Sequence, residues 1–214
     1  MSAYYSVARF LTRSVLSTLS GWEVRGREHV PLDGGLIVAS NHVSWWDPPF
    51  VGSALPRDSF YLAKEELFAN PIIGAVLRRV NAIPIRRGVA DVSGIARAIE
   101  LLRGGQALLM FPEGSRMKDG ELHPARPGLG MIAVHSDVPI VPCYISGSNR
   151  PGRWWRRAAA VRIWFGASRT WRARVGTEDQ EPGRALYHRI GSEIMQEIAQ
   201  LRTGQRQSAS RGAA

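Results

Sequence analysis

Ala107-Leu108-Leu109-Met110-Phe111 is apolar at every position, and so is the shorter run Leu36-Ile37-Val38-Ala39. A strand with one face in water alternates apolar and polar residues. An unbroken run of this length instead fits a strand covered on both faces, as in the interior of a parallel sheet. Phe60-Tyr61-Leu62-Ala63, Ala82-Ile83-Pro84-Ile85, residues 139–145 and residues 161–166 supply further short strand candidates. Pro84 has no N–H to give to a ladder, which puts its strand at an edge or an end. Helical segments fall between these runs. Residues 72–80 follow Asn70-Pro71; residues 91–102 carry Ile95, Ala98, Ile99 and Leu102 on one face and stop at Gly104-Gly105; residues 128–136 make a third. A short helix is expected over 48–54, and an amphipathic helix over 182–201 closes the fold with Leu186, Ile190, Ile194, Ile198 and Leu201. The alternation predicts an α/β architecture: a mostly parallel sheet flanked by helices.

Three polar clusters stand at the ends of separate strand candidates. Asn41-His42 through Asp47 follows the Leu36–Ala39 run, Lys64 with Arg86-Arg87 follows two others, and Glu113-Gly114-Ser115-Arg116 follows the run that ends at Phe111. Strands of a parallel sheet bring such ends to one edge, where α/β proteins place their chemistry. His42 is the side chain suited to proton transfer near neutral pH. Asp47 is five residues on, about 500° around a helix, so a shared helical face cannot pair them. A strand-to-helix turn with Pro48 opening the helix can. On spacing alone a capping Asp beside a surface His is the leading reading. If the clusters do converge, they assemble a base, an orienting carboxylate and several cations. That set suits group transfer to a hydroxyl carried by a phosphorylated molecule, with His42 taking the hydroxyl proton and Asp47 fixing the ring.

The net charge of +10, with only Lys64 and Lys118 as lysines among 28 basic residues, points to an anionic partner: phospholipid, phosphorylated substrate or nucleic acid. The single cysteine, Cys143, lies in an apolar run, allows no internal disulfide and fits a reducing compartment. No apolar run reaches the length of a transmembrane helix, and the N-terminus lacks a secretory pattern. Residues 4–20 form an amphipathic helix, with Tyr4, Val7, Ala8, Leu11, Val15 and Leu19 in one sector and Arg9 and Arg13 opposite. This stripe suits docking at a membrane interface and equally suits packing on the domain. From Arg150 to Arg174 eight arginines and four tryptophans occur with no acidic residue. Single-stranded nucleic acid, a membrane interface or a solvated basic face over core tryptophans would each account for them. The expected organisation is a docking helix over residues 1–20, one catalytic domain over 21–203 and a disordered tail over 204–214.

Four ordered blocks then carry a resemblance. Asn41-His42-Val43-Ser44-Trp45-Trp46-Asp47 is similar to the NHxSxxD block of the glycerolipid acyltransferase family, including its HxxxxD signature. Asn81 to Arg87, Phe111-Pro112-Glu113-Gly114-Ser115-Arg116 and Val138-Pro139-Ile140-Val141-Pro142 resemble the second, FPEGTR and fourth blocks. The resemblance covers roughly residues 22–148 and leans toward the bacterial 1-acyl-sn-glycerol-3-phosphate acyltransferases. It implies transfer of an acyl group from acyl-CoA or acyl-carrier protein to the hydroxyl of lysophosphatidic acid, with no bound cofactor or metal. It also implies His42 as base, Asp47 as its partner, and Lys64, Arg87 and Arg116 as phosphate ligands in a pocket shaped by Glu113, Gly114 and Ser115. Ser115 stands where the family has threonine, and Arg86 where it often has an acidic residue or asparagine. By this resemblance the protein works at the cytoplasmic face of the membrane, on anionic phospholipid, and nucleic acid is not an expected partner. Another lyso-lipid acceptor, such as a lyso-ornithine lipid, and a non-catalytic basic binding protein are the alternatives.

Overall fold

The computed structural model describes residues 3–19, 22–86, 91–150, 161–176 and 182–211. Seven strands form one sheet: β1 (Glu23–Arg25), β2 (Leu36–Ser40), β3 (Ser59–Lys64), β4 (Ala82–Ile85), β5 (Ala107–Met110), β6 (Ile140–Ser146) and β7 (Arg162–Phe165). Their spatial order is β1-β7-β6-β2-β5-β3-β4. The five strands from β6 to β4 are mutually parallel, β7 runs antiparallel to β6, and β1 pairs parallel with β7. The expected mostly parallel sheet is present, and β4, with Pro84, is its edge.

The helices are α1 (Ala3–Leu19), α2 (Asp47–Ala54), α3 (Pro71–Arg79), α4 (Val92–Arg103), α5 (Gly128–Ser136), α6 (Trp171–Val175) and α7 (Arg184–Arg211). Two of the starts show a local cause directly. The Asn70 side chain accepts from the N–H groups of Ile72 and Ile73 with Pro71 at the first position, and Asp91 accepts from Gly94. β2 is buried along its whole length because both faces are covered. Leu36 and Val38 join Leu16, Phe50, Val51 and Leu55 from α1 and α2 and the segment after it. Ile37 and Ala39 join Ala98, Leu102, Leu129, Ile190 and Ile194 from α4, α5 and α7 on the opposite face. This accounts for the absence of alternation in these runs.

Two expectations change. The final helix continues to Arg211, so residues 204–211 are helical rather than a tail. Gln205 is buried there: its amide donates to the Tyr144 carbonyl and its oxygen accepts from the Ser146 hydroxyl, at 3.3 and 2.8 Å. Gln, Arg and Ala are also good helix formers, which a reading of this stretch as merely small and polar overlooks. Secondly, α1 packs on the domain through Tyr5 and Leu16, with the Tyr5 hydroxyl near Ser59 at 3.2 Å and Arg9 paired to Asp58 at 2.8 Å. The stripe containing Tyr4, Val7, Leu11 and Val15 is turned outward, so it is not the face that packs. Among the described residues no helix is long and apolar enough to cross a membrane. Of the Arg/Trp segment, Trp171 is buried, whereas Trp154 and Trp155 lie outside the described residues.

Candidate active site

β2 ends at Ser40, and residues 41–46 turn the chain into α2, whose first residue is Asp47. Pro48 and Pro49 follow, and their missing N–H groups cost nothing in a first turn that has no intrahelical acceptors to offer. The turn folds Asp47 back against His42: Nδ1 of the imidazole and Oδ2 of the carboxylate are 2.8 Å apart. The same Oδ2 accepts from the backbone N–H groups of Val43 and Ser44, each at 2.7 Å. Asp47 is fully buried, at a helix N-terminus whose dipole favours negative charge. Three donors on one oxygen stabilise the carboxylate, which in turn fixes the proton on Nδ1 and leaves Nε2 free to accept one. The imidazole lies flat against Phe111, with ring centroids 4.1 Å apart and planes 21° apart. Hydrogen bonding therefore sets its tautomer and stacking sets its plane.

The turn after β5 completes the enclosure. The Glu113 carboxylate receives the backbone N–H of His42 on Oε2 at 2.8 Å and that of His123 on Oε1 at 3.3 Å. Burial pushes the Glu113 carboxyl up to about 7, opposed by those two hydrogen bonds. The Met117 N–H donates to the His42 carbonyl at 2.7 Å, so both backbone groups of His42 are held by this turn. Gly114 adopts a positive φ of 74°, and a Cβ there would fall 2.5 Å from Arg126 Cδ. That closeness lets the Arg126 Nε–H reach the Glu113 carbonyl at 3.2 Å. On the other flank the Asn41 amide acts as a short strand partner, donating to the Ile145 carbonyl and accepting its N–H at 3.1 and 2.8 Å.

Arg116 reaches the base loop (residues 41–46, around the candidate base His42) by stacking its guanidinium 3.8 Å above the Trp45 ring, and forms no ion pair among the described residues. Ser115 lies half-buried in the same turn. Lys64 ends β3 on the same edge of the sheet, but its ammonium pairs with Glu66 at 2.9 Å and is exposed. Arg86 pairs with Glu65 at 2.7 Å, while Arg87 lies outside the described residues. Among the expected residues the structure thus gathers His42, Asp47, Glu113, Gly114 and Arg116, and holds Lys64 in a separate ion pair. Asn41 stands in the first motif block without an assigned role, and neither His123 nor Arg126 is singled out by the sequence as a brace of this site. Their partners are set by tertiary contacts that no local spacing encodes. Beside Phe111, a largely apolar groove of about 690 Å³ runs between Leu62, Ile85, Met110, Leu129 and Met131, with Arg126 and Arg184 also lining it. Among the described residues no His, Cys, Asp or Glu side chains gather in a metal-binding group.

The arrangement can deprotonate a hydroxyl and present beside it an apolar groove and a guanidinium that is unpaired among the described residues. Comparisons with known proteins agree with that chemistry. The acyltransferase family model matches residues 21–146. A 1-acyl-sn-glycerol-3-phosphate acyltransferase of Bacillus subtilis is 34% identical over 136 residues, which cover 63% of this chain and 67% of the relative. A lyso-ornithine lipid O-acyltransferase of Pseudomonas aeruginosa is 36% identical over 140 residues, covering 64% of this chain and 53% of the relative. The crystal structure of a 1-acyl-sn-glycerophosphate acyltransferase from Thermotoga maritima superposes with a TM-score of 0.69 at 25% identity, covering 92% of this chain and 79% of that one. The family model takes in more than half of the chain, including both residues of the His42–Asp47 pair: this chain belongs to the acyltransferase family.

Proposed function

We propose that the protein acylates the free hydroxyl of 1-acyl-sn-glycerol 3-phosphate, taking the acyl group from a thioester of coenzyme A or an acyl-carrier protein and releasing phosphatidic acid. The observation that carries this reading is the buried His42–Asp47 pair, closed at 2.8 Å with the imidazole stacked on Phe111, which lines an apolar groove. His42 Nε2 takes the proton as the acceptor oxygen forms its bond to the thioester carbonyl carbon. Asp47 stabilises the imidazolium that results. Collapse of the tetrahedral intermediate breaks the carbon–sulfur bond, and the departing thiolate recovers the proton from His42. Arg116, which forms no ion pair among the described residues and lies over Trp45, receives the acceptor phosphate in this reading by charge-assisted hydrogen bonds. Lys64 and Arg87 are assigned the same ligand, Lys64 by exchanging Glu66 for phosphate. Glu113, Gly114 and Ser115 shape the pocket wall. The groove suits an acyl chain.

Both lipids reside in bilayers, and the exposed surface suits a site that works at one; we assign it to the cytoplasmic face as part of the same proposal. Tyr4, Val7, Phe10, Leu11 and Val15 of α1 are exposed, as are Ile72, Ile73 and Val76 of α3 and Trp45 of the base loop. Arg79 of α3 stacks on Tyr4 at 5.4 Å, which joins the first two groups into one surface. An apolar face of this extent, rimmed by arginines, suits insertion at an anionic lipid interface.

The test is transfer of labelled acyl groups by the purified full chain, with His42→Ala expected to abolish product while still binding vesicles; unchanged turnover would sink the mechanism. The 36% identity to a lyso-ornithine lipid O-acyltransferase favours one second reading, the same chemistry on an acceptor built on ornithine. A panel of acceptors against one acyl donor separates the two.

A further inference from the structure

The sheet order places β5 on one flank of β2 and β6 on the other, and the apolar groove occupies the β5 side. On the β6 side lies a second cavity of about 580 Å³, whose lining includes Asn41 and Val43, the neighbours of the base. Arg150, Arg162, Arg202 and Arg206 line it against two carboxylates, Asp119 and Glu121. We propose that this cavity binds the phosphate of the acyl donor's phosphopantetheine arm, whether that arm belongs to coenzyme A or to an acyl-carrier protein. The inference rests on the acyl-transfer reading above.

Charge is the first argument. Arg202 is committed to Glu121, with its two terminal nitrogens 2.9 and 2.7 Å from the two carboxylate oxygens, and Arg162 to Glu23 at 3.1 Å. Arg150 and Arg206 form no ion pair among the described residues, although Arg206 adds its field to that of Arg202 in lowering the Glu121 carboxyl. Two uncommitted guanidiniums at one cavity make a site for a phosphate rather than for a carbonyl or a hydroxyl. The wall is also built. Gln205 ties α7 to β6 through the Tyr144 carbonyl and Ser146 hydroxyl, and Asn41 ties β6 to the base loop.

Distance along the ligand decides between donor and acceptor. In the acceptor, the carbon bearing the hydroxyl and the carbon bearing the phosphate are adjacent, so its phosphate stays beside His42, where Arg116 sits on Trp45. In the donor, a whole pantetheine arm separates phosphate from thioester. Its cations must then stand on elements that do not carry the base, with a continuous cavity leading back to it. Arg150 follows β6 and Arg206 is near the end of α7, and the cavity they line reaches Asn41 and Val43. These four arginines all lie beyond the residues matched by the family model.

The experiment is steady-state kinetics of the full chain carrying Arg150→Ala or Arg206→Ala, with acyl-CoA, with acyl-carrier protein, and with the N-acetylcysteamine thioester, which lacks phosphate. Each substitution should raise the KM for a phosphate-bearing donor about tenfold, equivalent to about 1.4 kcal/mol. The acceptor KM and turnover of the phosphate-free thioester should not change. An effect confined to one donor identifies the source of the arm. A raised acceptor KM with donor KM fixed, or equal losses with the phosphate-free thioester, overturns the proposal, as do unchanged kinetics throughout. If the wild-type chain transfers no acyl group, the acyl-transfer reading fails separately. Equilibrium binding of free coenzyme A and of carrier protein bearing phosphopantetheine then decides the cavity. Binding lost in the variants supports it; no binding to the wild type refutes it.

Discussion

The Glu113 carboxylate accepts the backbone N–H of His42 at 2.8 Å, so the proposed base is positioned through its main chain by a residue from a different strand end. Asp47 holds the ring of the same residue and Met117 its carbonyl. Nothing about His42 is left to its own rotamer preference. This is the kind of support that keeps a catalytic side chain in productive geometry.

That support should leave a signature in the pH dependence of stability. The Glu113 carboxyl titrates near 7 in the folded protein against an ordinary value of 4.5, because burial favours its neutral form. A raised carboxyl pKa means that the folded state binds the extra proton, so this group's contribution to stability falls as pH rises from about 4.5 to about 7. Glu113→Gln removes that component. Thermal unfolding across this window should show the wild-type Tm declining relative to the variant; parallel curves would contradict the assignment.

Asp47→Asn keeps the shape of the side chain and removes its charge. The imidazolium that forms on proton transfer then loses its counter-charge, and the tautomer is no longer enforced. In the analogous arrangement of serine hydrolases this loss reaches about 10⁴-fold, and here a fall in kcat of about 10²–10⁴-fold is expected with little change in acceptor KM. A loss expressed mainly in KM would make Asp47 a binding residue instead.

Gly114→Ala introduces two costs: a side chain at φ 74° and a Cβ 2.5 Å from Arg126 Cδ. Together they should destabilise the fold by about 1–3 kcal/mol. Arg126→Ala in the same chain removes the contact but not the strain, so the double variant should recover part of the loss. Denaturant unfolding of the three variants measures this, and strict additivity would remove Arg126 from the account.

The sheet was legible because its central strands are short, uniformly apolar runs, and the convergence of their ends follows from parallel pairing. His42 and Asp47 were legible for the same reason, once a turn rather than a helix was allowed to join them. What eluded the sequence depends on distant partners. The antiparallel placement of β7 is set by its pairing with β6, and the helix beyond residue 203 is pinned by Gln205 reaching Tyr144 and Ser146. Neither leaves a periodic mark in the chain. Lys64 shows the opposite failure: its position at a strand end was right, yet Glu66, two residues on, takes its charge.

The outward stripe of α1 provides the last test. Phe10 is 68% exposed and Leu11 55% exposed, so replacing both by aspartate removes no core contact and should leave the Tm within a degree or two of wild type. At a bilayer each side chain, if inserted, would contribute about 1.5–3 kcal/mol, at least tenfold in partitioning. Flotation with anionic vesicles should therefore recover far less of the Phe10→Asp/Leu11→Asp chain, while turnover on acceptor dispersed in detergent is retained. Recovery equal to wild type would mean that α1 does not insert. The search would then pass to Ile72, Ile73 and Val76 on α3, whose exposed face continues the same surface through Arg79 and Tyr4.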